Sequence, residues 1–465
     1  MATVGNAPFG RRSSLLLASL LLLGPGLRAE ERAVVSLKEF VSTEVRSQGF
    51  TLPRSMKVHV YAKGGGKAAK DAWSGDAQPH AYGWILNAAS REVVWQMGGA
   101  NARREGQFLV ADQYIDLPKG SYEAYFVNHG FQGSAYFARW SMNLDRRHLE
   151  REDNRFPEDR NFFQRLLRVD SPARLREWKA QAAHYGLQVS AAGPGAGEIQ
   201  TFVAPLKWKN ILLSLTRTGD GTSISQGFRV LRPTTFHIYA LGEGHREEGM
   251  YDYGWILDVK SRKRLWEMDP ARAQYAGGAQ KNRRTVDKLV LPAGDYLACY
   301  ATDGSHSPAD WNAAPPCDPL LYGLTLSVPS DSEVHQAVLA DFKEPGTVIA
   351  ELVRIRNDQD ARASFTLKAG QKVRIYALGE VSGDERADFG WIEDSGGRRV
   401  WTMERENLHH AGGAYKNRLA DEVVALPKGT YTLRYRSDDS HAYGRWNADP
   451  PRDQERYGIT VFALD

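Results

Sequence analysis

The stretch "SQGFRVLRPTTFHIYALGE" (225–243) has a near-copy in "ASFTLKAGQKVRIYALGE" (363–380) and a looser one in "SQGFTLPRSMKVHVYAKGG" (47–65). In each, the second half alternates or runs together β-branched and aromatic residues, the pattern of a strand packed on at least one face. Moving outward, the three copies stay in step. "DYGWILDVKSRKRLWEM" (252–268), "DFGWIEDSGGRRVWTM" (388–403) and "AYGWILNAASREVVWQM" (81–97) come next. They are followed by "AGGAQKNR" (276–283), "AGGAYKNR" (411–418) and the weaker "GGANARR" (98–104). Then come "LPAGDYLACY" (291–300), "LPKGTYTLRY" (426–435) and "LPKGSYEAYF" (117–126), where Pro-x-Gly makes a turn into an alternating strand. The units close on "YGLTLSV" (322–328), "YGITVFA" (457–463) and "YGLQVSA" (185–191).

A unit of about 110 to 120 residues is large enough to hold its own core, so the copies read as whole domains rather than turns of a thin solenoid. Short strands between glycine-rich turns make each an antiparallel sandwich. The expectation is an all-β chain of three tandem, jelly-roll-like β-sandwich domains at 33–191, 208–328 and 347–465. "SAAGPGAGE" (190–198) and "PSDSEVHQAVLADFKEPG" (329–346) read as the linkers. The first unit has an insertion: Trp140 matches Trp446, but 45 residues separate Trp140 from Tyr185, against 11 from Trp446 to Tyr457. "SPARLREWKAQAAHYG" (171–186), with Ser171 as N-cap, Pro172 in the first turn and Gly186 as the stop, predicts a helical insertion over about 145–184.

Composition agrees with folded β domains: 465 residues, 42% hydrophobic, 11% aromatic and 44 glycines. Residues 1–29 read as a secretory signal peptide: Arg11 and Arg12, then the apolar "LLLASLLLL" (15–23), then "GPGLRA" ending at Ala29. The segment is too short to span a bilayer comfortably, and no later one is long and apolar enough. The chain is therefore expected to be exported, to the periplasm, the cell surface or the medium, and not to span a membrane. The formal charge is +4, and three arginines leave with the signal, so the remainder is close to neutral and offers no field for nucleic acid. Cys299 and Cys317 are the only cysteines, and the third unit has Arg434 and Arg452 at their places. In an oxidising compartment, that joint presence and absence predicts a local disulfide.

"FTLKAGQKVRIYAL" (365–378), "LPKGTYTLRY" and the final "YGITVFALD" (457–465) resemble the bacterial pre-peptidase C-terminal family, small jelly-roll-like sandwiches appended to secreted hydrolases. The resemblance implies a secreted accessory or binding role, with calcium in some members. It covers the outer thirds of each unit. "GWIxD…VWxM…AGGAxKNR" and the loop containing "SH…WN…PPxD" stand outside it, and no hydrolase domain precedes the repeats.

That loop, "DGSHSPADWNAAPPCDPLLYG" (303–323) and "DDSHAYGRWNADPPRDQERYG" (438–458), is the candidate site. Four acids recur between the second and third units: Glu243 with Glu380, Asp252 with Asp388, Asp303 with Asp438, and Asp318 with Asp453. Loops at one end of a sandwich converge, so the four carboxyls are expected to meet. Lys281 and Asn282 recur as Lys416 and Asn417. The first unit has Gly65, Ala81, His129, Ala102 and Arg103 at the corresponding places, so the polar residues vanish together while the strands persist. Three readings stay open. The acids could ligate calcium, which takes six to eight oxygens. They could form a network closed by Lys281 or Arg283. Or the loop could touch a ligand through Asn282, Trp311, Asn312, Asn417, Trp446 and Asn447, with the tryptophans stacking on sugar rings or peptides.

Trp84, Trp255 and Trp391, like Trp95, Trp266 and Trp401, alternate with apolar neighbours and read as core. Ser305-His306 and Ser440-His441 are adjacent in sequence, whereas a nucleophile and its base converge from separate elements. The serine is expected to bond within its loop and the histidine to lie at the surface. No nucleophile elbow, zinc helix or phosphate loop is present. The expectation is an exported non-catalytic binding or scaffold protein for a protein or glycan ligand, with calcium as the candidate cofactor. The alternatives are a secreted hydrolase or its accessory subunit, with the loop carboxylates as acid and base, and a purely structural envelope protein. An open carboxylate cleft would favour the hydrolase; closure by Lys or Arg would disfavour it.

Overall fold

The computed structural model describes residues 31–40, 44–66, 79–128, 179–246, 249–308, 311–342, 346–382, 385–448 and 450–464. The signal-peptide reading and most of the helical insertion lie outside the described residues, as does His129. Only the helical turn at 179–182 belongs to that insertion.

The second domain shows the plan. Thr234–His245 pairs with Asn282–Leu291 on one side and with Gly323–Ser327 on the other, and Ile211–Thr216 extends that layer. Ser223–Val230, Gly294–Ala301, Gly249–Asp258 and Arg264–Glu267 form the second layer. Between them Phe228, Phe236, Ile238, Ile256, Ala298, Leu324 and Leu326 are buried in one core. Full burial of a side chain such as Phe236 is worth about 1.5–3 kcal/mol. The first and third domains repeat this strand order, so the chain is three tandem β-sandwiches. The two layers are joined at a corner. Gly249–Asp258 meets Thr234–His245 only near its start, with Asp252 opposite Glu243, and from Tyr253 onward pairs with Gly294–Ala301 in the other layer.

Both linkers fold back on the domain they leave. Gln200–Phe202 pairs with Thr51 to Gly49, and Ala337–Ala340 pairs with Val230 to Gly227. A Cβ on Gly49 would overlap the Phe202 ring, and one on Gly227 would overlap Phe342 and the Ala340 carbonyl. This accounts for the glycine in both "SQGF" copies. The third domain has Ser364 at that place and no such added strand among the described residues.

The domains also grip one another. Arg91 and Arg262 occupy the same position in successive repeats, both at positive φ (59° and 60°), and each reaches into the next domain. Arg91 donates to Asp318 of the second domain (2.8 and 2.5 Å) and to Glu123 of its own (2.7 and 3.0 Å). Tyr125 and Tyr239 add hydroxyl donors to the two acids. Arg262 donates to Asp421 of the third domain (2.9 Å), which also accepts from Arg374 (2.7 Å). The third domain has Gly397 at this turn, again at positive φ (77°).

The disulfide expectation is corrected. Neither cysteine is in a disulfide, and the two face different neighbours of the second domain. Cys317 packs against the first domain's core, where its carbonyl accepts from Trp84 Nε1 (2.7 Å), and burial pushes its thiol up to about 12. Cys299 lines a cavity of about 480 Å³ between the second and third domains. What the two share is a place at a domain junction, one on each side of the second domain. In the third domain Arg434 lies over Trp391, and Arg452 donates to the Tyr251 carbonyl of the second domain (2.9 Å). Trp255 also departs from the core reading: it is half-buried and lines the same cavity.

Candidate functional site

The corner between the layers brings the acids together. Glu243 ends the run "IYALGE", and Asp252 lies near the start of the returning strand, so the two are register partners beside a bulge. Gly242 precedes the glutamate because any Cβ there would overlap the Asp252 carbonyl, and Gly379 stands in the same relation to Asp388. Asp303 arrives from the polar loop. One carboxylate oxygen from each of Glu243, Asp252 and Asp303 lies within 4.8 Å of the other two, and Glu380, Asp388 and Asp438 repeat the arrangement.

The partners repeat as well. Asp252 accepts from the Asp303 amide (2.7 Å) and the Tyr322 hydroxyl (2.7 Å); Asp388 accepts from the Asp438 amide (2.8 Å) and the Tyr457 hydroxyl (2.7 Å). Lys281 Nζ lies 2.8 Å from Glu243 Oε1, and Lys416 Nζ lies 3.0 Å from Glu380 Oε1. The other oxygen of each glutamate, Glu243 Oε2 and Glu380 Oε2, is buried and accepts no hydrogen bond. Burial, opposed by Lys281 and reinforced by Asp303, pushes Glu243 up to about 7. Burial and the adjacent Glu243 and Asp303 hold Asp252 well above the carboxylate range. Asp388 is pushed up to about 7, chiefly by burial, and Glu380 is raised for the same reason.

The polar loop is held by a second set of contacts. Asn282 Nδ2 donates to the Gly277 and Ala314 carbonyls (2.7 and 3.0 Å), which leaves its Oδ1 to accept from His306 Nε2 (2.6 Å). Asn417 and His441 repeat the pair at 2.6 Å. Both histidines are fully buried and sit at positive φ (65° and 53°), so the surface-histidine expectation is corrected. A side chain in this backbone region costs about 1 kcal/mol, and the bond to the asparagine holds it there. Trp311 stacks edge-on against His306 and Tyr322 (5.0 and 5.1 Å), and Trp446 does the same with His441 and Tyr457. Asn312 Oδ1 accepts from Lys281 (2.9 Å), and Asn447 Oδ1 from Lys416 (2.8 Å). All six candidate binding residues are thus engaged within their own domains.

The expected convergence of four acids is corrected to three. Asp318 turns away to Arg91 and Tyr239 at the first junction, and Asp453 accepts from Tyr376 (3.1 Å), with Arg456 at 3.7 Å. The reason lies in the short 3-10 turns, Pro319–Leu321 and Gln454–Arg456, which place these acids on the face toward the preceding domain. Sequence reasoning missed the tyrosines that brace the corner, although Tyr322-Gly323 and Tyr457-Gly458 stand in register. It also missed Arg91 and Arg262, whose signal is "SR" at one position of the first two units and "GG" in the third.

In the first domain Gly65 faces Ala81, and the Tyr185 hydroxyl, with no aspartate opposite, pairs with His80 Nε2 (3.1 Å). The corner keeps its backbone and loses its charge.

No protein-family model matches the chain, and no curated protein does. Among solved structures it is similar to the CUB1-EGF-CUB2 domains of rat MASP-1, with 8% identity, 53% of this chain and 92% of that one covered, and a TM-score of 0.16. It is also similar to dimeric latent PorU from Porphyromonas gingivalis, with 8% identity, 90% of this chain and 34% of that one covered, and a TM-score of 0.15. This chain spans about a third of the PorU chain, and likeness this slight carries no functional argument.

Proposed function

We propose that the chain is an exported, non-catalytic scaffold that holds three β-sandwiches in one fixed row for a protein or glycan partner. The observation that carries this reading is the buried clasp of Arg91 between Glu123 and Asp318, at 4%, 0% and 3% exposure. Two carboxylates and a guanidinium withdrawn from water at a domain boundary hold their geometry only while the domains stay in register, because separation would strand them. Arg262 bridging to Asp421 repeats the idea at the next boundary. Domains merely strung together would meet through more polar, looser surfaces.

The hydrolase alternative is disfavoured by the corners themselves. Acid–base catalysis needs a carboxyl within hydrogen-bond reach of a substrate atom. Glu243 and Asp252 are 5% and 0% exposed, and Lys281 closes over the glutamate. Among the described residues no helix is long and apolar enough to cross a membrane. The resemblance to pre-peptidase C-terminal domains belongs with this reading, as an accessory role.

The test is small-angle X-ray scattering of the full chain in chelator. One fixed arrangement should fit the unaltered protein, and an Arg91→Ala/Arg262→Ala variant should scatter as a jointed chain. Jointed-chain scattering from the unaltered protein overturns the reading.

A further inference from the structure

Each charged corner leaves one oxygen unanswered. Glu243 is 95% buried by its 5% exposure, its Oε1 is paired with Lys281, and its Oε2 has no partner; Glu380 Oε2 repeats the vacancy in the third domain. An unpaired buried carboxylate oxygen is costly, and its occurrence at the same atom of two repeats makes chance a poor account. With all groups ionised, three carboxylates and one lysine leave each corner with two negative charges. The first domain has Gly65 and Ala81 where the others have Glu and Asp, and the strand register corrects the sequence match of Ala102 to Lys281: with Phe108 opposite Gly65, as Asn282 is opposite Glu243, the lysine's place is taken by the uncharged Gln107, as expected if the charges serve one common end.

We propose that Glu243–Asp252–Asp303 and Glu380–Asp388–Asp438 are two equivalent sites for a divalent cation of the calcium class. The ion would take the oxygen that Lys281 or Lys416 leaves on the glutamate, with a carboxylate oxygen from each aspartate and water completing the shell. The spacing fits, since oxygens at about 2.3–2.6 Å around one calcium lie at most about 5 Å apart, and the corner oxygens fall within 4.8 Å. The charge fits too, because one divalent ion neutralises the corner. The donor set is all oxygen: the neighbouring imidazoles of His306 and His441 are turned to Asn282 and Asn417, which disfavours zinc. The acids lie outside the stretches that resemble the pre-peptidase family, and the assignment does not depend on the scaffold reading.

The experiment is calorimetric titration of the chelator-treated full chain with calcium chloride, paired with thermal unfolding. Two ions per chain are expected, one in Asp438→Asn and none in Asp303→Asn/Asp438→Asn. At ten times the dissociation constant the midpoint of the affected domain should rise by about 5 °C. In chelator, each Asp→Asn variant should melt no earlier than the parent, because it removes one of three like charges while keeping the acceptor for Ser305 or Ser440. A purely structural network would lose stability instead. Absence of heat and of a midpoint shift up to about 10 mM calcium overturns the proposal, as does binding that survives the double substitution. Magnesium sheds its water shell reluctantly, so equal affinity for magnesium overturns the calcium assignment.

Discussion

The first and second domains meet across Arg91, and the second and third across Arg262, the same position of two successive repeats, yet the arginines land on different acids. Arg91 sits between Glu123 and Asp318; Arg262 reaches Asp421, already held by Arg374. Asp453, the counterpart of Asp318, stays within its own domain beside Tyr376 and Arg456. What is repeated is the turn that aims a guanidinium across the boundary. The receiving acid is chosen by whatever the next domain offers within reach.

The difference predicts unequal costs. Arg91→Ala should have the largest effect, about 3–5 kcal/mol, because it leaves two buried carboxylates unpaired; denaturant titration checks it. Arg262→Ala should cost about 1.5–3 kcal/mol, since Asp421 keeps Arg374. Equal losses would mean the junctions are energetically alike despite their different acids. Next comes the linker strand. Gly227→Ala should cost about 1–3 kcal/mol by overlap with Ala340 and Phe342, and amide exchange at Val338 and Leu339 should speed up. Ser364→Ala, at the matching place in the third domain, should stay within about 0.5 kcal/mol.

A pH series sharpens the contrast between charged and uncharged corners. The folded-state pKa of Asp388, near 7, lies above its unfolded value, so its contribution is present at low pH and lost as pH rises toward and through 7. His441 works in the opposite direction: burial lowers it to about 4, so its contribution is present above about 6.5 and lost as pH falls toward 4. The two oppose each other between about 4 and 6.5. Above that only the carboxylates act, and in chelator the third domain's midpoint should fall from about pH 6.5 to 8, less so in Asp388→Asn. The smallest effect is expected at the cysteines: two titratable thiols in the denatured chain and no midpoint change on adding reductant.

The three sandwiches were legible because strand periodicity and turn chemistry are local, and the triple repeat multiplied a weak signal. The acid corner was half legible. Glu243, Asp252 and Asp303 were grouped because they disappear together from the first unit. Asp318 was grouped with them on the same recurrence, although it is kept for the junction. Recurrence reports that a residue is used in two repeats; it does not report on which face. His306 was misplaced for a related reason: a histidine in a polar loop gives no local sign that an asparagine from a distant strand, Asn282, will draw it inside. The cysteines show the same limit, since a spacing of 18 residues says nothing about the two sides of a sheet.

The returning linkers change where one domain can be said to stop. Boundaries drawn between repeats would cut 208–328 away from Ala337–Ala340, the strand that covers its own edge at Ser223–Val230. A fragment so trimmed would present open amides and carbonyls to any passing strand, an invitation to aggregate. In the third domain, which has no such cover among the described residues, Asp360 and Arg362 stand on the edge strand where Ser223 and Ser225 stand in the second. Solubility of the excised pieces is thus written into the few residues after each of the first two sandwiches, and a fragment of the second domain carried through residue 342 should remain in solution where one ending at 328 precipitates.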